Sequence, residues 1–354
     1  MLLKTVGERF RAQMTCIRTI LWLAFYIGAT LPLPARALDH TQLAVIINTQ
    51  DPLSVQIGEY YAAKRSILFQ NLIKVSFPPG KTGLTREEFN AVKVQVDKQT
   101  LPQVQAYALT WAAPYFVGCM SVTTAFAFGY DPAYCADGCK LSQPSRYYNS
   151  PSTLPFTQLK MRPTMAIAAT SFEYAKALID RGVESDGSFP AGTAYLLSTS
   201  DKVRNIRSSS YPLVERLISG RIYGRTMQQD AVKYATDVLF YFTGVANVAG
   251  LETLRFVPGA IADHLTSSGG DLTDRGSGQT SALRWLEAGA TGSYGTVVEP
   301  CAFPQKFPSP VIAIGRYLQG ETLIEAYWKS VQMPGQGIFI GEPLAAPFRR
   351  SEAR

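Results

Sequence analysis

The sequence has 354 residues, of which 46% are hydrophobic and 17% charged, and its formal net charge is +7. This length and apolar content allow one large or two small hydrophobic cores and exclude an intrinsically disordered chain. The positive charge does not indicate a nucleic-acid-binding protein, because five of the 34 basic residues and one of the 27 acidic residues precede residue 38, which leaves a net charge of only +3. The rest of the chain also has no basic run with interleaved aromatic residues.

The first 37 residues have the features of an export signal. Basic residues precede the apolar run TILWLAFYIGATLPLP, and Ala35 and Ala37 place small side chains where a signal peptidase reads them. The alternative, a membrane anchor, requires about 20 apolar residues, and this run is shorter and ends in prolines. We expect cleavage after Ala37, a mature chain that begins at Leu38 in the periplasm or outside the cell, and no membrane-spanning segment after it.

Alternating strand and helix patterns follow the predicted cleavage point. In residues 38–131, an N-terminal α/β part, the predicted strands are QLAVIINT, NLIKVSF and VQAYALTW, and the predicted helices are PLSVQIGEYYAAKRSI and TREEFNAVKVQVDKQ. Thr85 and Glu88 have the spacing of a capping box for the second helix. In residues 132–162 the pattern gives way to prolines, paired tyrosines and two close cysteines, which predicts a long ordered loop or a domain joint.

The four cysteines of the mature chain are Cys119, Cys135, Cys139 and Cys301. An even number in an oxidising compartment favours disulfides. Cys135 and Cys139 flank an Ala-Asp-Gly turn that can bring their sulfurs together, so we predict the pairs Cys135–Cys139 and Cys119–Cys301. A zinc site built on Cys135 and Cys139 is the alternative.

The alternation resumes in residues 163–354. Thr170 and Glu173 are predicted to open the helix SFEYAKALIDRG as a second capping box. The remaining predicted helices are QTSALRWLEAGA, PVIAIGRYLQG and ETLIEAYWKSV, and the predicted strands are TMAIAAT, TAYLLST, DVLFYFT, PGAIADHLT, TGSYGTVVE and GIFIGEP. Strands that are apolar throughout and separated by helices need both faces covered. The predicted fold class is therefore α/β, with a mostly parallel sheet flanked by helices.

Several segments along the mature chain resemble an uncharacterised family of exported bacterial proteins. They are RPTMAIAATSFEYAKALIDRG, YLLSTSDKVRNIRS, DVLFYFTGVANV, ADHLTSSGG, GATGSYGTVVEPC and LIEAYWKSVQMPGQGIFIGEPLAAPF. This resemblance implies no activity.

The C-terminal third is also similar to the gingipain-type cysteine peptidases of the caspase-like clan. Those enzymes place a His-Gly pair at the end of one strand and a cysteine at the end of the next. Here Thr243, Gly244 and Val245 stand at the first position, and Thr266, Ser267 and Ser268 stand at the second. The resemblance implies a caspase-like fold in residues 163–354 that lacks the catalytic dyad, because this chemistry needs both a base and a thiolate.

The loops at the carboxyl ends of the predicted strands carry the candidate site. We expect Thr243-Gly244, residues 264–270 and residues 299–301 to share one rim. His264 is the candidate base, because the only other mature histidine, His40, lies beside the predicted new amino terminus. Asp263 could orient it, and Ser267 or Cys301 could be the nucleophile. The alternative is that His264 has a structural role, the SSGGD segment forms a turn, and Cys301 forms half of a disulfide.

Two function classes follow from these residues. The first is an exported binding or structural module that holds a peptide, a protein or an envelope glycan at the strand-end rim. The second is a hydrolase, a peptidase or esterase, that uses His264 with Ser267 or Cys301. The sequence predicts no cofactor, and a calcium site formed by Asp263, Asp271 and Asp274 lacks the usual spacing of a calcium loop.

Overall fold

The computed structural model describes residues 37–273 and 276–350. The predicted export signal, up to Arg36, lies outside the described residues. The chain from Ala37 onward forms one compact unit. In the described part, no helix is both long enough and apolar enough to cross a membrane.

A ten-stranded sheet forms the centre of this unit. Its strands, numbered with the three short strands of a second sheet, are β1 (Leu43–Asn48), β2 (Leu72–Val75), β4 (Ala106–Leu109), β7 (Thr164–Ala166), β8 (Thr193–Ser198), β9 (Tyr223–Gln228), β10 (Val238–Thr243), β11 (Phe256–His264), β12 (Gly292–Thr296) and β13 (Gly337–Gly341). The second sheet contains β3 (Gly83–Leu84), β5 (Phe116–Val117) and β6 (Met120–Ser121).

The large sheet contains two sets of strands with the same spatial order. The sheet order is β2-β1-β4-β7-β13-β12-β11-β10-β8-β9, so each set contains five parallel strands that run second, first, third, fourth, fifth from its outer edge. Strand β13 pairs in parallel with β7 and antiparallel with β12. The two sets therefore run in opposite directions, and the carboxyl ends of β8, β10, β11 and β12 lie together at one edge. The prediction of an α/β fold with a mostly parallel sheet is confirmed.

Helices connect these strands and supply the flanking layers. They are α1 (Pro52–Arg65), α2 (Arg86–Gln99), α3 (Val122–Phe128), α4 (Pro155–Leu159), α5 (Phe172–Ser185), α6 (Tyr211–Ile218), α7 (Leu283–Ala288), α8 (Pro310–Leu318) and α9 (Leu323–Ser330). The central strands are buried along their whole length, as expected for a sheet covered on both faces.

Local side-chain chemistry explains where two of the helices begin. The Thr85 hydroxyl accepts from the Glu88 amide at 3.2 Å, and the Glu88 carboxylate accepts from the Thr85 amide at 2.9 Å, so the predicted capping box is confirmed. The second predicted box is wrong. Helix α5 begins one residue later than a Thr170 cap would place it, because the Ser171 hydroxyl accepts from the Tyr174 amide.

Candidate functional site

The candidate residues lie at the carboxyl ends of β10 and β11, which are adjacent and parallel. Thr243 and His264 are paired across these strands and are the last residue of each. The loop after β11 packs directly on β12, because a Cβ on Gly295 would lie 2.3 Å from the carbonyl carbon of Gly269. Because Gly269 and Gly295 have no side chains, the loop backbone can lie directly against β12 at the end of the sheet.

Both ring nitrogens of His264 form hydrogen bonds to groups that cannot act as nucleophiles. The Trp285 indole N–H donates to Nδ1 at 2.9 Å, so Nδ1 carries no proton. Nε2 therefore carries the proton and donates to the Thr280 carbonyl oxygen at 2.9 Å. The side chain is 1% exposed. In this arrangement the imidazole has no free lone pair with which to accept a proton from a substrate or a serine.

Burial also disfavours the charged form of this imidazole. Desolvation, together with the nearby Arg207 and Arg204, lowers the pKa of His264 from 6.5 to about 4, and the bond to Thr280 opposes this shift. The ring is therefore neutral at physiological pH. A neutral, doubly hydrogen-bonded histidine beside a tryptophan fits a structural role.

This depressed pKa makes the stability of the protein depend on pH. Between pH 6.5 and about pH 4 the unfolded chain binds the His264 proton and the folded chain does not, so stability falls as the pH decreases through this interval. The expected loss is about 3 kcal/mol at the acid end. Urea unfolding across this pH range should show this loss in the free energy of unfolding for the wild type, and the His264→Gln variant should not show it. An imidazole NMR signal of His264 that titrates with a pKa near the unfolded value of 6.5 would contradict this predicted pH dependence.

Asp263 forms a buried ion pair with Arg207, while the His264 ring nitrogens bond to other residues. Its Oδ1 accepts from the Arg207 guanidinium at 2.6 Å, and both side chains are almost fully buried. Arg207 also donates to the Thr243 carbonyl oxygen at 2.8 Å. Burial raises the pKa of Asp263, and the Arg207 charge opposes this shift. The residue that could have oriented His264 therefore anchors the segment before α6 to the end of the sheet.

Polar contacts hold the loop that contains Ser267 in place. The Thr296 hydroxyl donates to the carbonyl oxygens of Thr266 and Ser267, and the Gln279 side chain accepts from the Thr266 hydroxyl and the Ser268 amide. The Ser267 carbonyl oxygen thus binds Thr296 of β12, while the His264 ring bonds to Thr280 and Trp285.

The position at the end of β10 is covered by the protein itself. A Cβ on Gly244 would lie 2.0 Å from the Arg204 carbonyl oxygen, so only glycine fits beneath this backbone. The Thr199 hydroxyl, in the residue that follows β8, donates to the Gly244 carbonyl oxygen at 2.6 Å and also covers this position. The place where the gingipain-type pattern has its His-Gly pair thus lacks an imidazole and is also filled.

The predicted disulfide pairing is wrong. The structure joins Cys119 to Cys135 and Cys139 to Cys301. The prediction relied on the local turn between Cys135 and Cys139. Instead, Cys135 pairs with a cysteine in the turn between β5 and β6, and Cys139 pairs with one in the segment after β12. Cys301 consequently offers no thiolate in this structure, and no cysteine of the bridged set is available for a zinc site.

Two of the three acidic residues considered for calcium have partners in the structure. Asp271 accepts from the Tyr115 hydroxyl at 2.7 Å, Asp263 binds Arg207, and Asp274 lies outside the described residues. Within residues 37–273 and 276–350, no group of three His, Cys, Asp or Glu side chains is arranged to hold a metal ion.

An open polar groove lies next to this closed site. It has a volume of about 330 Å³ at the carboxyl ends of β8 and β9, and residues 198–200, Lys202 and residues 228–230 line it. Asp230 on its rim accepts from the amide and the hydroxyl of Ser200 at 2.6 and 2.7 Å. These bonds lower the pKa of Asp230, so its carboxylate is charged. Sequence analysis did not identify this groove, because β9 lacks an apolar run and was not predicted.

Comparison with known proteins gives a result for the fold and none for the sequence. No protein-family model matches the chain, and no curated protein matches it. A solved structure titled "Structure of Protease" aligns with a TM-score of 0.53 over 88% of this chain and 79% of that chain. The fold resembles that of a protease. The two sequences are only 10% identical, so the likeness concerns the protease-like fold alone. The proposed kinship with exported bacterial proteins stays a prediction.

Proposed function

We propose that this protein is an exported binding module that uses a protease-like fold without peptidase chemistry. The hydrogen bonding of His264 is the observation that carries this proposal. A general base needs a free lone pair within reach of its nucleophile, and the His264 lone pair accepts from Trp285. The bridged Cys301 and the covered Gly244 support the same conclusion.

The open groove at the ends of β8 and β9 is the proposed binding surface. Ligands of open α/β sheets bind outside the carboxyl ends of the strands, and this groove lies at that edge. It presents hydroxyls, side-chain amides, one ammonium and one carboxylate, and Lys202 and Gln228 are exposed on its rim. A lining that contains both donors and acceptors suits the main chain of an extended peptide, which has one amide N–H and one carbonyl oxygen per residue. We therefore propose a peptide or protein segment as the partner.

A displayed library of random linear peptides tests this surface. We expect enriched peptides to lose about tenfold or more in affinity for the Lys202→Glu variant, because one groove charge is reversed. The matched control is Lys74→Glu, which reverses an exposed lysine on the opposite edge strand, β2, and should leave affinity unchanged.

Three outcomes would contradict the proposal. Peptide binding that both variants retain would place the site elsewhere. A library that yields no binder, together with binding of envelope glycans to the wild type that Lys202→Glu weakens, would replace the peptide partner by a glycan. Cleavage of the enriched peptides would favour the hydrolase alternative with His264 and Ser267.

A further inference from the structure

The predicted mature amino terminus lies in the core of the protein. Leu38 is fully buried and belongs to the main hydrophobic cluster. Its backbone nitrogen donates to Oε2 of Glu325 at 3.1 Å, across 287 residues of sequence. Its carbonyl oxygen accepts from the Arg349 guanidinium at 2.9 Å. Both polar ends of this residue are thus held by side chains from the C-terminal part of the chain.

Glu325 has more acceptor capacity than the structure satisfies. It lies in the first turn of α9 and is fully buried. Its Oε2 accepts from the Thr322 amide at 3.0 Å and the Thr322 hydroxyl at 2.6 Å, in addition to Leu38. Its Oε1 has no hydrogen-bond partner. A buried carboxylate without a full set of donors is costly unless a further charge or proton reaches it.

The cations near this carboxylate are engaged with another residue. Lys329 lies 2.9 Å from Glu321, and Arg316 lies 3.4 Å from the same carboxylate. Among the residues that the structure describes, no lysine, arginine or histidine forms an ion pair with Glu325. Among the described residues, the hydrogen-bond donor that reaches this carboxylate from outside its own helix turn is the Leu38 nitrogen.

We propose that hydrolysis of the Ala37–Leu38 bond creates the missing counterion of Glu325. Water supplies a hydroxyl to the Ala37 carbonyl carbon and a proton to the Leu38 nitrogen, which takes up one more proton at neutral pH and becomes an ammonium. This group can donate three hydrogen bonds where the amide donates one. The new ammonium then forms a buried ion pair with Glu325, so that export processing stabilises the fold.

The position of the cleavage matters in this arrangement. One residue spans about 3.8 Å of backbone, so a terminus at Ala37 or Asp39 would displace the ammonium beyond hydrogen-bond reach of Glu325. The inference rests on the export signal and is independent of peptide binding in the groove.

The test uses the full chain expressed in a bacterium with its own signal. After recovery of the processed protein, its terminus is sequenced and its amines are methylated with formaldehyde and a mild reductant, first native and then unfolded. We expect a terminus at Leu38 whose α-amine reacts at least about tenfold more slowly in the native protein than after unfolding, because buried groups react only after opening.

Glu325→Gln should abolish this protection and raise the unfolding equilibrium constant by about 100-fold, because it leaves the buried ammonium unpaired. Glu342→Gln is the matched control. Glu342 is an equally buried carboxylate that pairs with Arg65 at 2.6 Å, so its loss should destabilise the protein without exposing the Leu38 amine. A form that keeps its signal is made by replacing Ala35 and Ala37 with arginine. Its unfolding equilibrium constant should change by less than about tenfold on Glu325→Gln, since its Leu38 nitrogen is still an amide and carries no charge.

Two results would overturn the proposal. A processed terminus other than Leu38 would remove its basis. A terminus at Leu38 whose amine is methylated as quickly in the native wild type as in Glu325→Gln would show that the ion pair does not form.

Discussion

Replacing Arg207 with methionine is expected to lower the free energy of unfolding by about 3–5 kcal/mol. The substitution leaves the Asp263 carboxylate buried and without its cation, which is the most costly way to disrupt an internal ion pair. It also removes the bond to the Thr243 carbonyl oxygen. Denaturant unfolding followed by far-UV circular dichroism measures the effect.

A double variant and a surface control make this test specific. Arg207→Met combined with Asp263→Leu should recover most of the lost stability, because two apolar side chains can replace a buried pair at little cost. The Lys93–Asp97 pair is on the surface of α2, and Lys93→Ala should cost about 0.5 kcal/mol or less. A loss below about 1 kcal/mol for Arg207→Met would show that the pair is not a main stabilising contact.

Removing the Cys139–Cys301 bridge by serine substitution at both positions is expected to cost about 5 kcal/mol. This bridge closes a loop with a sequence separation of 162, and the entropy that a cross-link removes from the unfolded chain grows with loop length. The Cys119–Cys135 bridge has a separation of only 16, so its removal should cost about 3 kcal/mol.

Both costs can be measured by urea unfolding of the oxidised proteins, and non-reducing peptide mapping tests the pairing. Equal costs for the two removals would contradict the dependence on loop length. A peptide that links Cys135 to Cys139 would contradict the connectivity itself.

Much of the fold could be predicted from the sequence because the central strands are continuous apolar runs. The segment VLFYFT is buried along its whole length as β10, and a run of this kind has few other stable environments. Strand β9 could not be predicted in this way. Its residues, YGRTMQ, are mostly exposed at the edge of the sheet, so no apolar pattern marks them.

The candidate site was harder to predict because its chemistry depends on distant partners. His264 was identified from its position at a strand end, but Trp285 comes from α7 and Thr280 from the loop before it. The partner of Asp263 lies 56 residues earlier in the chain, and no local spacing indicates it. The disulfide pairing was predicted wrongly for the same reason, since a turn that brings two cysteines close does not decide their partners.

Loss of peptidase chemistry is tested most directly by incubating the purified protein with a peptide library derived from a whole proteome and detecting new termini by mass spectrometry. We expect no cleavage above that of the His264→Gln variant, because the wild-type imidazole already has both nitrogens engaged. Reproducible cleavage at a defined sequence that disappears in His264→Gln, with its thermal stability at neutral pH unchanged, would contradict the binding-module proposal and identify the protein as a hydrolase.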